Sequence, residues 1–236
     1  MAEKLVREIN FPFYGAGGPP AAGSPNGQPW VKRDTSAAGA PTALGANLGG
    51  IALTLDNTSE AQIIGIDMDD VLPFDIDDLI RVEWMAKLDA TPGTNVRIVM
   101  GMAGAYNGTP DTVAQNAWFL LLGGAATVLC ESDDGTNDND DKTTGLTLST
   151  SFKRFAIDFS TGVQTRQPPN ASIGGKANVL FYMGDANSHL IQVCKSTLFD
   201  MSNYSSGLQP YFQIQKSSGT ATGTLTIKDL CVTLKA

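Results

Sequence analysis

Histidine is almost absent from this 236-residue sequence, and His189 is the only one. A triad built on it would also need an orienting acid and an oxyanion hole, which sequence spacing does not show. His189 lies in "DANSHLIQV" near Ser188 and Ser196, but no Gly-x-Ser-x-Gly run exists and it reads as a turn-end or edge-strand residue. Cysteine is also sparse: Cys130, Cys194 and Cys231 form no CxxC or Cys/His pattern, and each sits in an apolar run. They read as small buried hydrophobes in a protein made in a reducing cytoplasm. Positive charge is in deficit, 16 basic against 24 acidic residues for a net charge of −8. That speaks against a nucleic-acid or anionic-membrane partner, which a basic face would serve. No apolar run approaches the roughly 20 residues of a membrane span, and the N-terminus has no secretory core. The Gly-rich "YGAGG" (14–18) lacks the Lys-Ser/Thr of a phosphate loop, and no strand–helix unit surrounds it. No cofactor is expected.

Helical patterning is nearly missing as well. Only "TPDTVAQNAW" (109–118) offers a turn, with Thr109 as N-cap and Pro110 at the first helical position. From Ile51 onward the period is two. Apolar-rich runs occur at 51–56, 61–68, 79–89, 95–103, 117–122, 126–132, 152–159, 178–183, 190–194, 208–216 and 223–234, bounded by turn residues. In the third of these, Arg81, Glu83, Met85 and Lys87 share one face while Val82, Trp84, Ala86 and Leu88 share the other. Eleven such runs predict an all-β, two-sheet antiparallel sandwich over residues 51–236. Residues 1–50, rich in Gly, Ala and Pro, read as an extended N-terminal arm. The arm's aromatic residues Phe11, Phe13, Tyr14 and Trp30 are candidate docking anchors, either on a partner or on the arm's own domain.

Acid is concentrated. "ESDDGTNDNDD" (131–141) and "DMDDVLPFDIDD" (67–78) each hold six carboxylates, together half of the 24. In the first, Asp134, Asp138 and Asp140 alternate as calcium ligands do. Yet Gly135 is misplaced for a calcium loop, Gly145 stands where a closing acid belongs, and the stretch reads as a solvated connection between strands. In the second, Val71, Leu72, Phe74 and Ile76 are expected to point inward between exposed acids. A glycosidase needs paired carboxylates, and β-sandwich glucanases carry Glu-x-Asp-x-x-Glu or Glu-x-Asp-x-Glu on one strand. Here the glutamates Glu3, Glu8, Glu60, Glu83 and Glu131 are isolated, so neither catalytic nor metal residues are assigned.

The segments "ESDDGTNDNDDKTTGLTLSTSFKRFAIDFS", "NVLFYMGDANSHL" and "TLFDMSNYSSGLQPYFQIQKSSGTATGTLTIKDLCV" resemble structural proteins of tailed-bacteriophage particles, across most of residues 34–234. The resemblance implies a concanavalin-like jelly roll and a non-enzymatic role as a capsid decoration or cement protein. Its partners would be the major capsid protein and neighbouring copies, as a homo-oligomer, with trimers suited to three-fold positions of a shell. Its location would be the virion surface. The same fold admits an alternative, a carbohydrate-binding module of a phage fibre, with Tyr106, Trp118 and Tyr204 as candidate aromatic contacts for a glycan.

Overall fold

The computed structural model describes residues 6–11, 30–37, 40–43, 50–159 and 176–235. The chain runs through β1 (Val6–Phe11), β2 (Val31–Asp34), β3 (Ala40–Ala43), β4 (Gly50–Leu55) and β5 (Gln62–Asp67). There follow β6 (Phe74–Asp75), β7 (Leu79–Leu88), β8 (Val96–Ala103), β9 (Asn116–Leu122), β10 (Thr127–Asp133) and β11 (Asp138–Thr147). The last five are β12 (Lys153–Asp158), β13 (Leu180–Asp185), β14 (Ile191–Val193), β15 (Gly207–Lys216) and β16 (Gly223–Lys235). They form two sheets in which every pairing is antiparallel. The first has the order β14-β13-β12-β7-β16-β4-β3, with β1 also on β16; the second has the order β11-β10-β9-β8-β15-β5-β2, with β6 also on β15.

Alternation decides which side chains enter the space between the sheets. Trp84 of the first sheet is 1% exposed and marks the centre of the core. It stacks on Phe155 of its own sheet at 5.7 Å and meets Phe119 and Phe212 of the other edge-on at 5.8 and 5.6 Å. Met100, Ile98, Ile214, Ile227 and Val232 fill in around it. Burying aromatic and branched side chains at about 25 cal/mol per Å² of apolar surface drives the closure of the two layers. The faces expected for 79–88 are those observed, with Val82, Trp84, Ala86 and Leu88 buried.

All eleven expected runs are strands, and one long strand was missed. β11 replaces the solvated connection expected after Ser132: its "DNDDKTTGLT" shows no apolar alternation because most of its residues are exposed at a sheet edge. Positive φ angles at Asp141 (51°) and Gly145 (71°) and two register breaks against β10 bend this edge. Bulges of this kind blunt an open edge. Three short strands also come from the region read as an arm. β1 pairs with β16, β2 with β5 and β3 with β4, so each described piece lies along its own sandwich. Two readings need correction. Val71 points out and is 60% exposed, whereas Phe74 and Ile76 are buried; Asp69, Asp70 and Leu72 take positive φ, which breaks the alternation there. Only Cys130 is fully buried, since Cys231 lies opposite Glu83 on the outer face of the first sheet and Cys194 follows the edge strand β14.

Candidate functional site

The outer face of the second sheet is covered in its middle, around Trp118 and Tyr211. The segment 104–115 between β8 and β9 folds back across it. The Gly104 amide donates to the Gln115 carbonyl at 2.8 Å, and a single 3-10 turn at Pro110–Thr112 caps the segment, with Thr109 and Pro110 placed as the sequence predicts. Underneath lie Val99, Ala103, Trp118, Leu120 and Tyr211, packed with Val113 of the covering segment. Trp118 and Tyr211 are each 1% exposed. The Tyr211 hydroxyl donates to the Asn107 carbonyl at 2.6 Å, and Arg97 pairs with Asp111. Gly101, directly opposite Trp118, is required here: a Cβ would lie 2.5 Å from the Ala117 carbonyl oxygen.

An ion pair secures one end of this cover. Arg33 of β2 gives two hydrogen bonds to Asp67 of β5, at 2.7 and 2.8 Å, and a third to Asp69 at 2.9 Å. The Asp67 side chain is 1% exposed. The guanidinium lies 3.9 Å from the centre of the Tyr106 ring, whose other neighbour is Tyr211 at 6.1 Å. Asp70 accepts from the Tyr106 amide and from Gln209, which in turn accepts from the amides of Met68 and Asp70. None of this was legible in the sequence, because Arg33 and Asp67 are 34 residues apart and only the β2–β5 pairing joins them.

Glu131 of β10 stands opposite Trp118 in the ladder and is 6% exposed. It accepts one hydrogen bond, from the Asn116 side chain at 3.3 Å. Burial pushes its carboxyl up to about 7; the Trp118 indole pulls the other way, and Asp140, Asp111 and Asp141 push further up. Burial likewise raises Asp133 and Asp138, the latter also through Asp140. Among the described residues no group of three or more His, Cys, Asp or Glu side chains is arranged to hold a metal ion.

Asp134 has a different task. Its two oxygens accept from the amides of Thr136, Asn137 and Asn203 and from the side chains of Asn137 and Asn203, at 2.7 to 3.1 Å. Burial alone would raise this carboxyl, but the donors from Asn137, Asn203 and Thr136 hold it below the usual carboxylate range. The residue therefore ties the β10–β11 hairpin to the loop after Asp200. The depressed pKa means that its contribution is complete above the ordinary carboxylate range and is lost as pH falls through the folded value. Asp134→Asn is expected to cost about 2 kcal/mol at pH 7, as charged hydrogen bonds are lost. In urea unfolding the difference from wild type should shrink in acid; a pH-independent difference would remove the charge from the explanation.

An open groove of about 290 Å³ lies where the edge of one sheet meets the edge of the other. Leu146 and Thr147 of β11 form one wall, and Lys153, Met183, Asp185 and His189 contribute to the rest. His189 lies between the β13–β14 turn and β14, as the sequence suggested, and Lys153 pairs with Asp185. Trp30 is 3% exposed within the core of its own domain. Phe11 lies on the backbone of β1, while Phe13 and Tyr14 fall outside the described residues. Tyr204 packs against the core, with its hydroxyl on the Gly207 carbonyl at 2.6 Å.

No family model matches the sequence, and no curated protein does. Solved structures match in fold. A non-specific endo-β-1,3(4)-glucanase of family GH16, SCLam, superposes with a TM-score of 0.59 at 11% identity, over 98% of this chain and 92% of its own. A protein of unknown function from Shewanella oneidensis MR-1 gives 0.57 at 8% identity, over 98% and 87%. The carbohydrate recognition domain of Emp47p gives 0.52 at 11%, over 88% of each chain. The fold is the concanavalin-like jelly roll. Glucanases and lectins share it, so the fold alone assigns neither activity.

Proposed function

We propose that this protein works by adhesion and not by catalysis, as a structural component of a bacteriophage particle that coats the head and stabilises the shell. The observation that carries this reading is the cover over the middle of the second sheet's outer face. A hydrolase or a cleft-binding lectin needs that face open to a sugar chain, and here segment 104–115 occupies it, with Trp118 and Tyr211 beneath. The Tyr106 ring lies against Arg33 and Tyr211, Trp118 is buried and Tyr204 packs inward, which speaks against a glycan platform on these three aromatics. The resemblance to phage particle proteins supplies the partner, the major capsid protein together with neighbouring copies.

The test is co-purification. The protein should accompany heads in stoichiometric copies and raise their resistance to heat or low salt. Trp30 and Arg33 are structural, so deleting the whole arm would confound the result. Joint replacement of Phe13 and Tyr14 by alanine is the cleaner probe and is expected to release the protein from heads. Unchanged attachment would end the anchoring role of those two residues, and heads of equal stability without the protein would end the decoration reading.

The likeness in fold to the carbohydrate recognition domains of Emp46p and Emp47p favours a second reading, a glycan-binding module of a fibre. Its site would be the groove at the sandwich edge, where Lys153, Asp185 and His189 offer polar contacts above Met183 and Leu146. The full chain on a glycan array distinguishes the two. Binding that disappears in Asp185→Ala and His189→Ala would replace the first reading with this one.

A further inference from the structure

The open edge of the sandwich brings together two cysteines that are 64 residues apart in sequence. Cys130 lies on β10 of the second sheet, fully buried, with its side chain among the core residues. Cys194 directly follows β14, the edge strand of the first sheet, and packs against the same core. Its Sγ is 3.4 Å from the carbonyl oxygens of both Lys142 and Thr143 on β11, and Lys142 is the residue directly opposite Cys130 in the β10–β11 ladder. The two thiols therefore approach across the seam between the sheets. β11 and β14 belong to different sheets and share no backbone ladder, so side chains alone hold this seam among the described residues. Cys194 also holds a positive φ of 52°, a conformation that non-glycine residues adopt only under constraint.

We propose that Cys130 and Cys194 form a redox modification site, a dithiol that a small-molecule disulfide such as oxidised glutathione converts into a covalent bond between the two sheets. Cys194 is the attacking residue. It is half-buried, so a small oxidant reaches it, and the neighbouring Cys130 thiol draws it below the usual thiol range, with burial opposing. Burial, and then Cys194, keeps Cys130 protonated and inert towards solvent. The Cys194 thiolate attacks one glutathione sulfur, forming a mixed disulfide and releasing one glutathione thiolate, which takes up the proton Cys194 has lost. Cys130 passes its proton to the bound glutathione sulfur as it attacks the Cys194 sulfur; the Cys194–glutathione bond breaks, the protein S–S bond forms, and the second glutathione leaves as a thiol. The protein loses two protons and two electrons, and glutathione disulfide takes them up to become two glutathione thiols.

Cys231 takes no part. It lies on the outer face of the first sheet, across from Glu83 and next to Asn10 of β1. The site does not depend on the proposed particle role, since the purified chain suffices to reveal it.

The experiment treats the native full-length protein with oxidised glutathione, then counts thiols, measures intact mass and maps peptides. Free thiols should fall from three to one, the mass should drop by two hydrogens, and a Cys130–Cys194 peptide pair should appear. Closing a loop of this length constrains the unfolded chain, so the thermal midpoint should rise by about 5 °C or more and return on reduction. Cys194→Ser should abolish all of this without disturbing the core, whereas Cys231→Ser should leave the response intact. Three thiols surviving in the native protein would overturn the inference. So would a stable glutathione adduct on Cys194, or a response that persists in Cys194→Ser.

Discussion

Arg33→Ala should lower the stability of the protein by about 3 kcal/mol, because it leaves the Asp67 carboxylate buried beneath the cover without its cation. Asp67 is 1% exposed, and Arg33 supplies two of its hydrogen bonds; the Asp69 amide at 2.7 Å supplies another and cannot neutralise the charge. Loss of the guanidinium also uncovers one face of Tyr106, which loosens the segment above Trp118 and Tyr211. Urea unfolding reads the stability, and tryptophan emission reads the access of water to Trp118. Arg33→Lys should recover only part of the loss, since an ammonium replaces a two-pronged contact with a point charge. Combining Arg33→Ala with Asp67→Asn should destabilise by less than the sum of the two single changes. Strict additivity would mean that the pair is not coupled and that the cover is held by other contacts.

Glu131→Gln should act in the opposite direction and only above a certain pH. Its carboxyl is raised from an ordinary 4.5 to about 7, chiefly by burial. Below about pH 4 it is protonated in both the folded and the unfolded chain, and glutamine differs little from it. As pH rises towards 7 the unfolded chain ionises first, so wild type loses stability across that window, reaching about 3 kcal/mol. Glutamine keeps an oxygen for the Asn116 side chain and avoids the charge. The variant should therefore be more stable than wild type by about 2–3 kcal/mol at pH 8 and indistinguishable from it at pH 4. Equal differences at the two pH values would mean that Glu131 does not titrate in this range.

These two residues mark where sequence reading stopped. Val82, Trp84, Ala86 and Leu88 announce their common face by period two alone, and the sheet cannot place them otherwise. β11 announces nothing, since an edge strand exposed along most of its length is under no demand to alternate. Glu131 occupies an outward position on β10, and one strand's pattern cannot say whether an outward position meets water or a covering segment. Trp118, nominated for a glycan, shows the same limit: it is outward on its strand and still only 1% exposed.

The order of residues alone determined the two-layer β body, the strand faces and the single helical turn, because each follows from side-chain spacing within one short segment. The cover over the second sheet, the Arg33–Asp67 pair, the Asp134 tie to Asn203 and the placing of Cys130 and Cys194 on either side of Lys142 were decided by the tertiary structure. Each depends on which strands become neighbours and on what folds over them, and that choice is made by the packing of the whole chain.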